Sequence, residues 1–270
     1  MALPMWMNRL ITRTFPGIFA IARLTRVPGI GRAIDHALFE GDDMIYLPRD
    51  RVIPIGKSVG APEDVVLPSQ VVDHFIDEAN YHWIMDACIC REGNHCKDYP
   101  HALGCLFLGE AALQINPGLG RRVSRDEAKD HVRKCREAGL VHLIGRNKLD
   151  EVWLWVNPGT KLLTICNCCP CCCVWRIAPV LTPAISRKLN RMPGVTVAVT
   201  GDCQGCGTCA DQCFVKAIRL DDGVAQIGES CVGCGRCVTA CPHQAIELTV
   251  ADPNYVRDAI ARLAPLVDVK

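Results

Sequence analysis

Eight of the nineteen cysteines lie near the C-terminus in two copies of one spacing. Cys203-x2-Cys206-x2-Cys209-x3-Cys213 recurs 28 residues later as Cys231-x2-Cys234-x2-Cys237-x3-Cys241, followed by Pro242. The copies agree beyond their thiols: CQGCGTCADQCFVKAIRL aligns with CVGCGRCVTACPHQAIEL, glycine on glycine and Ala-Ile on Ala-Ile. A loop with thiolates three residues apart can wrap three corners of an iron-sulfur cube, and Gly205, Gly207, Gly233 and Gly235 permit the positive φ angles that wrapping demands. Zinc also takes four thiolates, but it needs only two C-x2-C pairs and would leave the third thiol of each triplet without a role.

These residues resemble bacterial two-cluster ferredoxins over about residues 196–250, roughly a fifth of the chain. The resemblance implies two 4Fe-4S clusters with crosswise ligation. Cys203, Cys206, Cys209 and Cys241 would hold one, and Cys231, Cys234, Cys237 and Cys213 the other. The sequence departs from the family at Phe214, which follows Cys213 where proline is usual. That departure bears on the packing and potential of the cluster Cys213 serves.

Ten further thiols lie upstream in two clumps. The first, ACICREGNHCKDYPHALGC, carries Cys88, Cys90, Cys96 and Cys105, and Gly93 and Pro100 bend the segment so that the four can converge on one metal. Within it, His95 and Asp98 are candidate ligands, with a supporting hydrogen bond to sulfur the commoner role for such a histidine. In a chain already committed to cluster chemistry, a third iron-sulfur cluster is the preferred reading over zinc. The second clump, CNCCPCCC, puts Cys166, Cys168, Cys169, Cys171, Cys172 and Cys173 into eight positions. Six thiols are too many for one tetrahedral ion and too close together to wrap a cube alone. Adjacent side chains point apart, so the run is expected to divide its thiols between two directions and to complete a site begun by Cys88–Cys105. Ten thiols suffice for two cubes with two to spare, or for one larger cluster of irregular shape. A vicinal disulfide, loose capture of zinc or copper, and simple burial are the alternatives. Cys135 reads as an ordinary buried thiol on a helix.

The elements that must position these loops read as α+β: a mixed helical and hairpin cysteine-rich N-terminal domain followed by a ferredoxin-like dicluster module. The expected divisions are a basic arm at 1–58, the cysteine-rich domain at 59–195, the dicluster domain at 196–250 and a C-terminal helix at 251–270. Ser124 and Glu127 form a capping-box pattern opening the helix RDEAKDHVRKCREA, which Gly139 ends. The runs VHLI, EVWLWV and KLLTIC read as short strands of a small hairpin. Asp252-Pro253 is expected to start a helix with Tyr255, Val256, Ile260 and Leu263 on its apolar face, covering the ferredoxin module. The arrangement is similar to iron-sulfur proteins in which a cysteine-rich domain precedes a ferredoxin module, a likeness that implies no reaction.

Composition narrows the function. Thirty basic residues nearly balance 29 acidic ones, so the chain lacks the positive field of a nucleic-acid binder. Its longest uncharged run, Leu162–Trp175, has 14 residues, short of the roughly 18 to 20 a membrane span needs. Arg9, Arg13, Arg23 and Arg26 interrupt every candidate secretory segment, which predicts reduced thiols in the cytoplasm. Residues 1–34 hold five arginines and no acid among Trp6, Leu10, Phe15 and Phe19, a pattern that suits either an arm packed on its own domain or a peripheral contact with an anionic membrane or a partner protein. GIGRAI at 29–34 and GLGRRV at 118–123 both lack the third glycine of a dinucleotide fingerprint, and no phosphate loop ends in Gly-Lys-Ser/Thr. With no evident nicotinamide, flavin or nucleotide site, the chain is expected to pass single electrons between redox partner proteins, a donor and an acceptor. A redox enzyme, or enzyme subunit, with an open-site upstream cluster is the second expectation, and a metal store or cluster-assembly scaffold the third.

Overall fold

Along residues 163–168 successive side chains alternate between two sides of a strand. Leu163 and Ile165 enter one apolar core, whereas Cys166 and Cys168 enter the other. This alternation organises the molecule. The computed structural model describes residues 2–50, 67–250 and 254–270. Helices α1 (Met5–Thr14), α2 (Ile18–Leu24) and α3 (Ile30–Leu38) lead into strand β1 (Asp43–Tyr46). Then follow α4 (Ser69–Glu78), β2 (His82–Met85), α5 (Ile89–Gly93), β3 (Leu106–Leu108), β4 (Gly120–Val123), α6 (Arg125–Glu137), β5 (Val141–Arg146), α7 (Lys148–Leu154) and β6 (Leu163–Cys168). Helix α8 (Pro183–Ser186) and strand β7 (Leu189–Arg191) precede the C-terminal segment.

Among the described residues, these seven strands form one sheet in the order β4-β2-β3-β6-β5-β1-β7, antiparallel except for the β1–β7 pair. One face carries Ile45, Ile84, Leu106, Leu108, Ile144 and Ile165 against α4 and α6. The other face carries Met44, Tyr46, Trp83, Phe107 and Leu143 together with Cys166 and Cys168. All of the latter are fully or nearly fully buried, so the sheet delivers two thiols into an interior and not onto a surface.

Strand β1 lies at residues 43–46, on the arm side of the expected division at 58, which itself falls outside the described residues. Within the arm, Leu3, Phe15 and Ala22 are buried while Trp6, Leu10, Ile21 and Leu24 are exposed. A packed arm and an outward apolar side therefore coexist in one segment.

Helix α6 starts and ends where the sequence predicts. Ser124 accepts the Glu127 N–H, the Glu127 carboxylate accepts the Ser124 N–H at 2.9 Å, and Gly139 leaves the helix at φ +79°. The expected three-strand reading of VHLI, EVWLWV and KLLTIC needs correction at its middle member. Strands β5 and β6 do pair, Val141 opposite Cys168 and Gly145 opposite Thr164, but EVWLWV lies mostly in helix α7. The Asn147 side chain caps that helix by accepting the Leu149 N–H, Asp150 and Glu151 sit in its first turn, and Trp155 closes it in the left-handed conformation. Local capping outweighs the strand preference of valine and tryptophan.

The C-terminal segment contains β8 (Val195–Val199), α9 (Thr208–Gln212), β9 (Ile218–Asp221), β10 (Val224–Ile227), α10 (Arg236–Ala240), β11 (Ile246–Val250) and α11 (Tyr255–Leu263). Strands β8 and β11 pair antiparallel, as do β9 and β10 across the two-residue Asp222-Gly223 turn, whose residues both have positive φ. Asp252 and Pro253, the expected helix start, lie outside the described residues. Helix α11 buries Tyr255, Ala259 and Leu263 in the core shared by α4 and Leu248 of β11, so it packs on the main sheet's helical layer as well as on the C-terminal segment. Arg262 fixes it to the sheet with two 2.9 Å hydrogen bonds to Asp43.

Candidate metal centres

The duplicated tail folds as two equivalent loops. Each copy turns through two left-handed glycines, Gly205 and Gly207 in the first and Gly233 and Gly235 in the second, before a short helix begins. Cys203, Cys206, Cys209 and Cys241 line one pocket, with Leu220, Ala225 and Ile246 as its apolar wall. Cys213 stands instead beside Cys231, Cys234 and Cys237, whose thiols all feel its charge. Each copy thus sends its last cysteine to the other. Amide hydrogens point at sulfur in both: the Ala245 N–H donates to Cys241 at 3.3 Å, the Ala217 N–H to Cys213 at 3.2 Å, and the Ala225 N–H to Cys203 at 3.4 Å.

The two sets differ in depth. Cys206 is exposed, which puts the first set at the surface. The second set packs against the thiol-bearing core of the sheet through Cys213, Cys231 and Cys234. Burial pushes Cys234 up to about 11 and Cys237 up to about 12. Phe214, standing where the ferredoxin pattern has proline, is buried in the same core, with its ring 5.4 Å from that of Tyr46. Phe214→Ala is expected to cost about 3 kcal/mol, read as a lower denaturation midpoint by intrinsic fluorescence.

The ten upstream thiols separate into two groups. Cys96, Cys169, Cys171 and Cys172 have sulfurs all within 4.8 Å of one another. The other six form contacts of their own: Cys88 with Cys90, Cys105 with Cys166, Cys166 with Cys168, and Cys168 with Cys173 at 3.3 Å. Cys90 feels the charges of Cys105 and Cys173, and Cys88 that of Cys168, which joins the pairs into one assembly, buried except at the half-buried Cys90. The 88–105 clump therefore does not converge as a unit, because Cys96 leaves it for the later run. Strand β6 explains the sorting: Cys166 and Cys168 keep strand alternation, while the turn at Pro170 redirects Cys169, Cys171 and Cys172. Asn167 points the opposite way and accepts a 2.8 Å hydrogen bond from His142 while donating to Gly104 at 2.7 Å. Among the remaining candidates, His95 sits at positive φ, and Asp98 offers its backbone N–H to Cys96. Cys135 is buried on α6, and burial pushes its thiol up to about 12.

Residues 202–245 match the family described as a 4Fe-4S dicluster domain. The match supports 4Fe-4S binding and an iron-sulfur electron-transfer role. It spans less than a fifth of the chain, and no curated protein and no solved structure matches. Among the described residues no helix is long and apolar enough to cross a membrane.

The donor sets fit such groups, and three further residues support the fit. Arg91 on α5 is fully buried, donating to the Asn167 carbonyl at 2.9 Å and to the Leu103 carbonyl, and the strongest charges facing it are the sulfurs of Cys88, Cys169 and Cys105. A buried guanidinium needs anionic neighbours, and thiols supply them once they are thiolates, their metal-binding form. Arg236 is nearly as buried and donates to the Cys168 carbonyl, with its charge facing both Cys168 and Cys234. Tyr46 is fully buried with no hydrogen-bond partner for its hydroxyl, which lies among Cys166, Cys168, Cys173 and Cys234. Sequence reasoning missed all three, yet Arg236 carries a signal: it is the position at which GRC of the second repeat departs in charge from GTC of the first.

Proposed function

We propose that this chain is an electron-transfer protein whose thiols form three iron-sulfur sets in series. The surface set is Cys203, Cys206, Cys209 and Cys241. The inner set is Cys231, Cys234, Cys237 and Cys213. The third draws on Cys88, Cys90, Cys105, Cys166, Cys168 and Cys173. Bound 4Fe-4S clusters would supply one-electron exchange with little change in ligand geometry. The reading rests above all on the junction between inner and upstream sets, where Tyr46 and Arg236 each face sulfurs of both.

The protein's own residues perform three tasks. Amide hydrogens and Arg236 stabilise thiolate charge, which tunes reduction potential. Tyr46, Phe214 and the sheet's apolar face keep water from the junction. The exposure of Cys206 leaves one end open to a redox partner, and donor and acceptor proteins would meet the chain from there and from the upstream side. The proposed division of labour makes 196–250 the dicluster module and places the third set in the cysteine-rich region before it.

Anaerobic reductive titration followed by EPR tests the reading. Three centres reduced in separable one-electron steps are expected, with magnetic coupling between two of them, and a protein with no reducible centre would refute it.

The six-thiol assembly favours one second reading, since a cube takes only four of its thiols. An irregular cluster with an open iron would make the chain a redox enzyme or enzyme subunit. Mössbauer spectra would then contain an iron site distinct from cubane iron.

A further inference from the structure

From the geometry of Cys96, Cys169, Cys171 and Cys172 we infer a fourth centre of a different kind: a single zinc ion held by four thiolates. Four sulfurs about 2.3 Å from one tetrahedral ion lie about 3.8 Å from one another. A four-iron cube places its own inorganic edges between the ligands and spreads them to roughly 6 Å. In this group every sulfur lies within 4.8 Å of the others, and Cys96 and Cys171 are 3.5 Å apart. The spacing suits one ion, and among the described residues no three of the other cysteines gather so closely about one point.

The surroundings are those of a built site. The Cys96 sulfur is met by the backbone N–H groups of Asp98 and Tyr99 and by the thiols of Cys171 and Cys172. Asn94 ties the two legs together, donating to the Cys172 carbonyl at 3.1 Å and to the Cys90 carbonyl at 2.9 Å. Arg176 binds the Cys171 carbonyl, and Arg91 sets its charge beside Cys169. Cys135, Leu140 and Leu103 form an apolar floor beneath the group. A soft, tetrahedral four-sulfur site that imposes no cluster geometry favours zinc over ferrous iron in the ordinary affinity order.

The zinc would be structural. It would join the loop after α5 to the loop after β6, next to the α5 start that carries Cys88 and Cys90 and the β6 end at Cys168, and so hold the six-thiol assembly closed without exchanging electrons. This assignment is independent of the relay, because zinc and iron are counted separately.

The test uses the full chain, purified anaerobically from cells supplied with both metals. One zinc per chain is expected, and X-ray absorption at the zinc edge should show four sulfur neighbours at about 2.3 Å and no iron neighbour. Cys96→Ser and Cys171→Ser should each lower retained zinc at least tenfold and leave the iron and sulfide of the tail unchanged. Absence of zinc, zinc bound through nitrogen or oxygen, or a mononuclear tetrathiolate iron in its place would overturn the inference. The absorption measurement on the unmodified chain decides the matter even if both variants fold poorly.

Discussion

Arg91→Met should strip the upstream sets of metal while the two C-terminal sets keep theirs. The side chain is fully buried on α5, between the six-thiol assembly and the tight four-thiol group, and its charge faces Cys88, Cys105 and Cys169 together. Methionine preserves length and apolar packing but removes the cation that balances several thiolates. Breaking a buried charge pairing costs about 3–5 kcal/mol, and the carbonyls of Asn167 and Leu103 would each lose a donor at a further cost of about 1–3 kcal/mol. Lysine should rescue poorly, because a single ammonium cannot reproduce a planar fork that reaches two carbonyls at once. Metal analysis of the anaerobically purified variant checks the point: iron should fall towards the content of the tail alone, with zinc lost as well. Normal iron and zinc would show that Arg91 is not the counter-charge.

A second large effect follows from the crossing of the repeats. Cys213 belongs to the first copy by sequence but stands beside Cys231, Cys234 and Cys237, whereas Cys241 belongs to the second copy and lines the pocket of Cys203, Cys206 and Cys209. Cys241→Ser should therefore perturb the surface centre and Cys213→Ser the inner one, the reverse of what a copy-by-copy reading predicts. Only Cys213→Ser should abolish magnetic coupling to the upstream centre, because the inner set alone abuts Tyr46 and Cys168. EPR of the two reduced variants separates the cases. Identical spectra, or an effect of Cys241→Ser on the upstream signal, would contradict the crossed assignment.

The legibility of this chain varied with how local the determining interactions are. The repeat in the tail was readable because cysteine spacing and glycine placement lie within a dozen residues; Cys203, Cys206, Cys209 and Cys241 line one pocket, and Cys213 stands beside Cys231, Cys234 and Cys237. Helix α6 was readable for the same reason, since Ser124, Glu127 and Gly139 act on their own helix. EVWLWV misled because its composition favours a strand, while the cap at Asn147 and the left-handed Trp155 decide for a helix. The upstream thiols resisted more deeply. Their partition depends on pairing between β3, β6 and β5, which places Cys105 against Cys166 but sends Cys96 to Cys171, contacts 61 and 75 residues apart in the chain. Arg91 and Tyr46 carry no local mark at all, because what distinguishes them is burial beside sulfur.

The most direct test of three iron-sulfur sets in one chain is the iron and acid-labile sulfide content of the anaerobically purified, unmodified protein. About twelve irons and twelve sulfides per chain are expected, four for each set. A content of about eight would contradict the account by leaving the assembly of Cys88, Cys90, Cys105, Cys166, Cys168 and Cys173 without a cluster.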